Sequence, residues 1–305
     1  MVQTSRAGVK RALNWKGNSH LMRTFLLLFT FLYCIATQAQ PLLAFERDGS
    51  IWTAKMDGSD AQKITEGSIP EISPDGKYIA YNVVNKSGSR YLAIIELKSG
   101  KVQQLKNIPS ANSFNPVWSP DGNKLLFNTF INHNWHLALI HADGSGYYLI
   151  KNTQNEYSPT WAKDGASFFS QDLDAIYWMD FKGNLIKKWI IHEIIPQGSM
   201  SSASRLHISP DGKTLIMDVD MKEAILKNWN EPPPALWTLN LESGETTRIT
   251  PKGIPAWSPF WINSEEFIFL TQRINEKTPG LYRGSLKSPS KVRLLKNVQT
   301  PSVSR

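Results

Sequence analysis

Five segments of this chain repeat one pattern, a short apolar strand that runs into a tight turn and out along a second strand. They read P-E-I-S-P-D-G-K-Y-I-A-Y (Pro70–Tyr81), P-V-W-S-P-D-G-N-K-L-L-F (Pro116–Phe127), P-T-W-A-K-D-G-A-S-F-F-S (Pro159–Ser170), L-H-I-S-P-D-G-K-T-L-I-M (Leu206–Met217) and P-F-W-I-N-S-E-E-F-I-F-L (Pro259–Leu270). The turn position moves from Asp75 to Asp121, Asp164, Asp211 and Ser264, in steps of 46, 43, 47 and 53 residues. Strand–turn–strand content at a period in the forties is the signature of a β-propeller blade. The expected fold is all-β.

A second set of hairpins gives an independent count. Asp57-Gly58, Ser99-Gly100, Asp143-Gly144, Lys182-Gly183, Ser243-Gly244 and Ser288-Pro289 are turn dipeptides, each between two further strands. That makes six outer hairpins against five complete inner ones. The ends of the chain supply the difference. Pro41–Phe45 matches the second strand of a blade, and Thr300–Ser304 matches the first, as in Asn115–Ser119. The expectation is six four-stranded antiparallel blades, with the C-terminal strand completing the blade that the N-terminus begins. Closure of this kind removes exposed sheet edges. The 266 residues from Gln40 to Arg305 then give about 44 per blade.

Ile72, Trp118, Trp161, Ile208, Trp261 and Val303 share one repeat position. Blades sandwiched between neighbours are covered on both faces, so this series is expected to pack between blades. The Asp of S-P-D-G is expected to hydrogen-bond its own turn.

The first 39 residues differ from the rest. They carry Arg6, Lys10, Arg11, Lys16 and Arg23, no acid, and an apolar run from Phe25 to Ile35. The run is too short to span a bilayer, which needs about 20 apolar residues. Small residues at Thr37 and Ala39 suit cleavage before Gln40, so residues 1–39 read as a secretory signal with its start expected at Met22. Tyr33 before Cys34 stands where a lipoprotein signal needs a small residue. Without the leader, 29 basic residues face 26 acidic ones. No Lys/Arg cluster favours nucleic acid or an anionic membrane. Cys34 is the only cysteine, so the mature part forms no disulfide and must rely on its core. A single propeller domain over residues 40–305, exported to the periplasm, monomeric and not membrane-inserted, is the resulting expectation.

The P-x-W-S-P-D-G-x-x-I/L repeats, their period and the leader resemble the TolB-like six-bladed propellers over nearly the whole mature chain. The resemblance implies a propeller of the Tol–Pal envelope type, whose partner is an envelope protein such as a peptidoglycan-associated lipoprotein. The extra N-terminal α/β domain of the Tol–Pal protein is not expected here, because the leader runs almost directly into a strand at Leu42. Similar repeats form the gating propeller of prolyl-oligopeptidase-type enzymes.

The S-P-D-G turns and outer hairpins share one face. The opposite face carries the variable connections, and the two longest are Ile190–Arg205 and Asp220–Ala235. Long loops on a rigid scaffold commonly carry binding function. Trp229 in the second loop, with Phe114, Asn115, Tyr157, Arg205 and Trp257 at the starts of inner strands, are the partner-binding candidates.

The catalytic search returns no residues. There is no G-x-S-x-G elbow. His192-Glu193-Ile194-Ile195-Pro196 begins like a zinc-protease helix, but Pro196 stands where the second His is needed. His136 and His141 differ by five and face opposite sides of a strand, with His133 in the preceding loop. Glu71, Asn115 and His207 near the axis offer too little charge for a divalent ion. No cofactor or metal is expected. The leading expectation is a non-enzymatic binding scaffold. A propeller lyase or metal-dependent hydrolase acting on a glycan or ester, and a sugar- or peptide-binding module, stand as alternatives.

Overall fold

The computed structural model describes residues 41–223, 232–273, 276–288 and 291–304. Within them the chain forms six antiparallel sheets, the blades of a propeller. Blade 1 contains β1 (Leu42–Arg47), β2 (Ser50–Lys55) and β3 (Gln62–Glu66). Blade 2 is β4 (Ser68–Ile72), β5 (Tyr78–Val84), β6 (Arg90–Glu96) and β7 (Val102–Gln104). Blade 3 is β8 (Ser113–Trp118), β9 (Lys124–Ile131), β10 (Asn134–His141) and β11 (Tyr148–Leu149). Blade 4 is β12 (Tyr157–Trp161), β13 (Ser167–Gln171), β14 (Ala175–Asp180) and β15 (Leu185–Ile190). A helical turn, α1 (Ile191–Ile194), and β16 (Gly198–Ser199) follow. Blade 5 continues with β17 (Leu206–Ile208), β18 (Thr214–Met221), β19 (Pro234–Asn240) and β20 (Thr246–Arg248). Blade 6 is β21 (Ala256–Trp261), β22 (Glu266–Thr271), β23 (Gly280–Ser285) and β24 (Val292–Lys296). The last strand, β25 (Gln299–Val303), returns to blade 1.

Closure runs as the repeat pattern predicts. β25 pairs antiparallel with β1, Leu43 opposite Val303 and Ala44 opposite Ser302. Leu42 N–H donates to Ser304 Oγ at 2.8 Å, and Ser304 N–H returns to Leu42 O at 3.0 Å. Ile72 N–H of blade 2 donates to Ser302 Oγ at 3.1 Å, so the closing strand is held from both sides.

Burial is graded outward from the axis. Second strands such as β9 and β22 are apolar and almost wholly buried because a blade lies against each of their faces. Outer strands such as β3 and β7 are polar and solvated, which suits an edge that must not pair with another chain. Among the described residues the core divides into six clusters, one per blade junction. The repeat series Ile72, Trp118, Trp161, Ile208, Trp261 and Val303 lies in these clusters, every member buried. Two of its tryptophans also reach back across the junction. Trp118 Nε1–H donates to Glu71 O at 2.9 Å, and Trp161 Nε1–H to Val117 O at 3.0 Å.

The S-P-D-G turn is a local hydrogen-bond cage. In blade 3 Ser119 Oγ donates to Asp121 Oδ1 at 2.5 Å and accepts from Lys124 N–H at 2.9 Å. Asn123 N–H also donates to Asp121 Oδ1, at 3.1 Å. These donors, the Ser119 hydroxyl first, hold the Asp121 carboxyl below its ordinary range. Gly122 closes the turn at φ 71, a conformation that costs a Cβ-bearing residue.

The fifth blade departs from the expected four strands. Ile190–Arg205, expected as a long loop, folds α1 and β16 instead. β16 pairs with β18 beyond β17, Gly198 opposite Met221. Ile191, Ile195 and Met200 anchor it in the junction of blades 4 and 5.

Candidate functional site

The six inner strands surround an axial channel, and all but β17 carry a bulge at the upper end, on the variable-loop face. Register shifts fall between Ser68 and Glu71, Phe114 and Val117, Tyr157 and Thr160, and Trp257 and Phe260. The residue six before each turn position sits in the bulge: Ile69, Asn115, Ser158 and Ser258, joined by Thr300 of the closing strand. All five precede a proline and take positive φ, from 41 to 60. Such values are rare outside glycine and mark strain that the surroundings must hold. Arg205 is the sixth member of the ring. Leu206 follows it in place of proline.

A repeated polar residue supplies that support. Seven positions after each turn, inside an apolar second strand, stand Asn82, Asn128, Gln171, Asp218 and Thr271, with Glu46 equivalent in blade 1. Five of them bond the backbone of the next blade ahead of or within its inner strand. Asn82 Nδ2–H donates to Ser113 O at 2.8 Å, and its Oδ1 accepts from Asn115 N–H at 2.9 Å. Glu46 Oε2 accepts from Ile69 N–H at 3.2 Å. Asn128 donates to Glu156 O and Gln171 to Ser201 O, both at 2.8 Å. Asp218 Oδ1 accepts from Arg205 N–H at 3.0 Å in its own blade and from Ser258 N–H at 3.1 Å in the next. Burial raises the Asp218 carboxyl to about 7 despite these N–H donors. Burial likewise raises Glu156 to about 7, against the hydroxyl it accepts from Ser170 and with Asp172 adding to the rise.

Three connected spaces lie along the axis. The upper one is a bowl of about 670 Å³, the waist holds about 60 Å³, and the lower vestibule about 260 Å³. At the waist Arg205 donates from Nη1 to Asn115 Oδ1, spanning blades 5 and 3. Below it Glu71 and His207 face the channel. His207 Nδ1 accepts Trp261 N–H at 2.9 Å, so the ring proton sits on Nε2. Its ring stacks on Phe260 at 3.7 Å.

The structure brings five of the six candidate residues together. Phe114, Asn115, Tyr157, Arg205 and Trp257 all line the bowl. Trp229 lies outside the described residues. Arg90 and Trp135 join them, and the sequence reading passed over both. Phe114 meets Trp135 edge-on at 5.1 Å, and Arg90 lies 4.9 Å over Phe114 and 5.4 Å over Trp135. Trp135 and Arg90 stand at the starts of third strands, a position that the variable connections of that face aim at the axis. Among the described residues no three His, Cys, Asp or Glu side chains form a metal-holding group. His133 forms a two-residue turn with Asn132 at φ 64 and 50, while His136 and His141 sit on β10. What the bowl offers chemically is aromatic surface, amides and guanidinium groups.

Residues 44–228, more than half of the chain, match the TolB beta propeller domain family. TolB from Acinetobacter baumannii shares the fold at a TM-score of 0.66 and 18% identity, over 91% of this chain and 70% of that one. A chain of the nidogen/laminin complex superposes at 0.65 with 9% identity, over 87% of this chain and 98% of that one. An uncharacterized peptidase of Bacillus subtilis is 24% identical over 163 residues, 50% of this chain and 22% of that protein. The chain thus spans less than a quarter of the length of this curated relative. The matched repeats, on a ring whose blades close as described, make this chain a member of the TolB beta-propeller domain family.

Proposed function

We propose that this protein is a non-enzymatic scaffold of the cell envelope, exported to the periplasm, that holds a protein partner in the bowl at the upper mouth of its channel. The observation that carries the proposal is the bowl itself, where aromatic side chains and two arginines converge from five blades. Aromatic and arginine side chains dominate interface energetics because they bury large areas at modest entropic cost. Family membership and the cationic, apolar leader support the envelope setting.

A photo-crosslinking residue placed at Phe130, on the rim beside Trp135, tests this in the native host against one at Asn123 in an S-P-D-G turn of the opposite face. Adducts from Phe130 alone, lost on Trp257→Ala, are the expected result, with the protein recovered in the periplasmic fraction. Adducts from Asn123 alone, or none from either, would overturn the proposal.

A further inference from the structure

We infer that the bowl selects a carboxylate-bearing peptide segment, with Arg205 at its floor and Arg90 on its wall receiving the carboxylate. The inference rests on the reading of the bowl as the partner site and names the chemistry of what enters it.

Charge comes first. Among the described residues, every charged side chain lining the bowl is an arginine, and no acid joins them. Both arginines hydrogen-bond neutral amides, while the Asp218 and Glu71 carboxylates act on Arg205 from below. Arg90 donates from Nε to Asn112 Oδ1 at 2.7 Å, and Arg205 donates to Asn115 Oδ1. Both partners are neutral amides, which engage a guanidinium without cancelling its charge. Asp218 beneath the ring accepts backbone N–H groups, and burial holds its carboxyl toward the neutral form. Glu71 lines the waist and the vestibule below it and is not part of the bowl's lining. An anion entering from above therefore meets positive charge before negative.

Position comes second. Arg205 is the one charged member of a six-residue ring whose other members are Ile, Asn, Ser, Ser and Thr. The repeat changes at this place and no other, losing both its proline and its left-handed backbone. A waist of about 60 Å³ admits a group of carboxylate size and little more. The planar fork of a guanidinium matches a carboxylate with two parallel hydrogen bonds.

The walls favour peptide over acidic sugar. Gln299 offers an amide donor and acceptor to a peptide backbone, and Gln272 keeps its oxygen and Asn115 its nitrogen beside the bonds they already make. Phe114, Trp135, Tyr157 and Trp257 line the walls with aromatic surface. The carboxylate comes from a chain terminus or from Asp and Glu side chains, and both sources fit the same fork.

The test offers the immobilised protein a degenerate hexapeptide library ending in Asp-Asp. Each peptide is present in four forms: acid or Asn side chains, each with a free or amidated C-terminus. Retained peptides are counted by mass spectrometry. The expected result is about tenfold enrichment of carboxylate forms over the fully amide form. Arg205→Gln should bring the enrichment close to unity and Arg90→Gln should reduce it severalfold. Should Arg205→Gln fail to fold, Arg90→Gln carries the test. The mixed forms report whether terminus or side chain is read. No enrichment, or enrichment unchanged in the folded arginine variants, overturns the inference. So does displacement of the retained peptides by trigalacturonate at lower concentration than by free acidic peptide, which assigns the bowl to an acidic glycan. Crosslinks at the rim that survive Arg205→Gln unchanged would leave the bowl as a partner site and remove the carboxylate from it.

Discussion

The two mouths of the channel are cut from the same six strands and share little chemistry. The lower mouth is edged by turns that resemble one another, and in blades 2, 3 and 5 a serine hydroxyl, a carboxylate and a glycine satisfy the turn's own backbone. The upper mouth is edged by five kinds of side chain at its six ring positions, held by struts from neighbouring blades. The lower turns are self-sufficient, so repetition costs nothing there. The upper ring depends on its surroundings, so each blade can present a different residue once the strut beneath it is secure.

Variants can break that contrast. Deleting residues 300–305 should have the largest effect, because it opens β1 and strips the partner from Ile72 N–H. A melting temperature equal to that of the intact protein would refute the closure. Trp118→Ala should cost about 3–5 kcal/mol in urea unfolding, removing a buried junction side chain and its bond to blade 2. Asn82→Ala should cost about 1–3 kcal/mol, since Asn115 N–H and Ser113 O lose their partner in a buried place. A cost under 0.5 kcal/mol, within the range of about ±0.5 for neutral surface changes, would show that the ring stands without struts.

The pH dependence of stability is a smaller effect with a definite sign. Asp218 holds a proton up to about pH 7 when folded, whereas an unfolded aspartate releases it near pH 4. Its contribution is complete below the lower value and is lost as pH rises through the upper one. Asp218→Asn should therefore gain stability relative to the native protein between about pH 4 and pH 7. A constant difference in unfolding free energy across that window would contradict the raised carboxyl. Arg90→Gln should change stability least, by about 0.5–1 kcal/mol, the worth of an exposed cation–π contact. A larger loss would mean that Arg90 belongs to the scaffold rather than to the bowl.

The lower mouth was legible in the sequence because each turn is local. Five residues of S-P-D-G-x make it, and repetition with a period in the forties gives its purpose. The ring closure was legible for the same reason, since Thr300–Ser304 copies an inner strand. The struts were in plain view and went unread. A polar side chain at a fixed seven residues after the turn, inside an apolar strand, is a periodic signal, but its partners lie in the next blade and no local rule names them. Ile190–Arg205 read as a loop because its sixteen residues show no alternation. Its helical turn and two-residue strand are stabilised by contacts with blade 5 rather than by local propensity. Phe114, Asn115, Tyr157, Arg205 and Trp257 were found by their register at strand starts, while Trp135 and Arg90 required the three-dimensional arrangement of the third strands.

The clasp between Leu42 and Ser304 joins residues 262 positions apart. A ribosome emits the first of these strands long before the last exists, so blade 1 alone must wait for a strand made far later in the chain. Bringing such distant segments together costs loop-closure entropy before any contact repays it, and folds rich in distant pairings form slowly. The ring therefore acts as a timer. Until β25 is made, the first blade lacks its innermost strand and keeps an open edge beside β1.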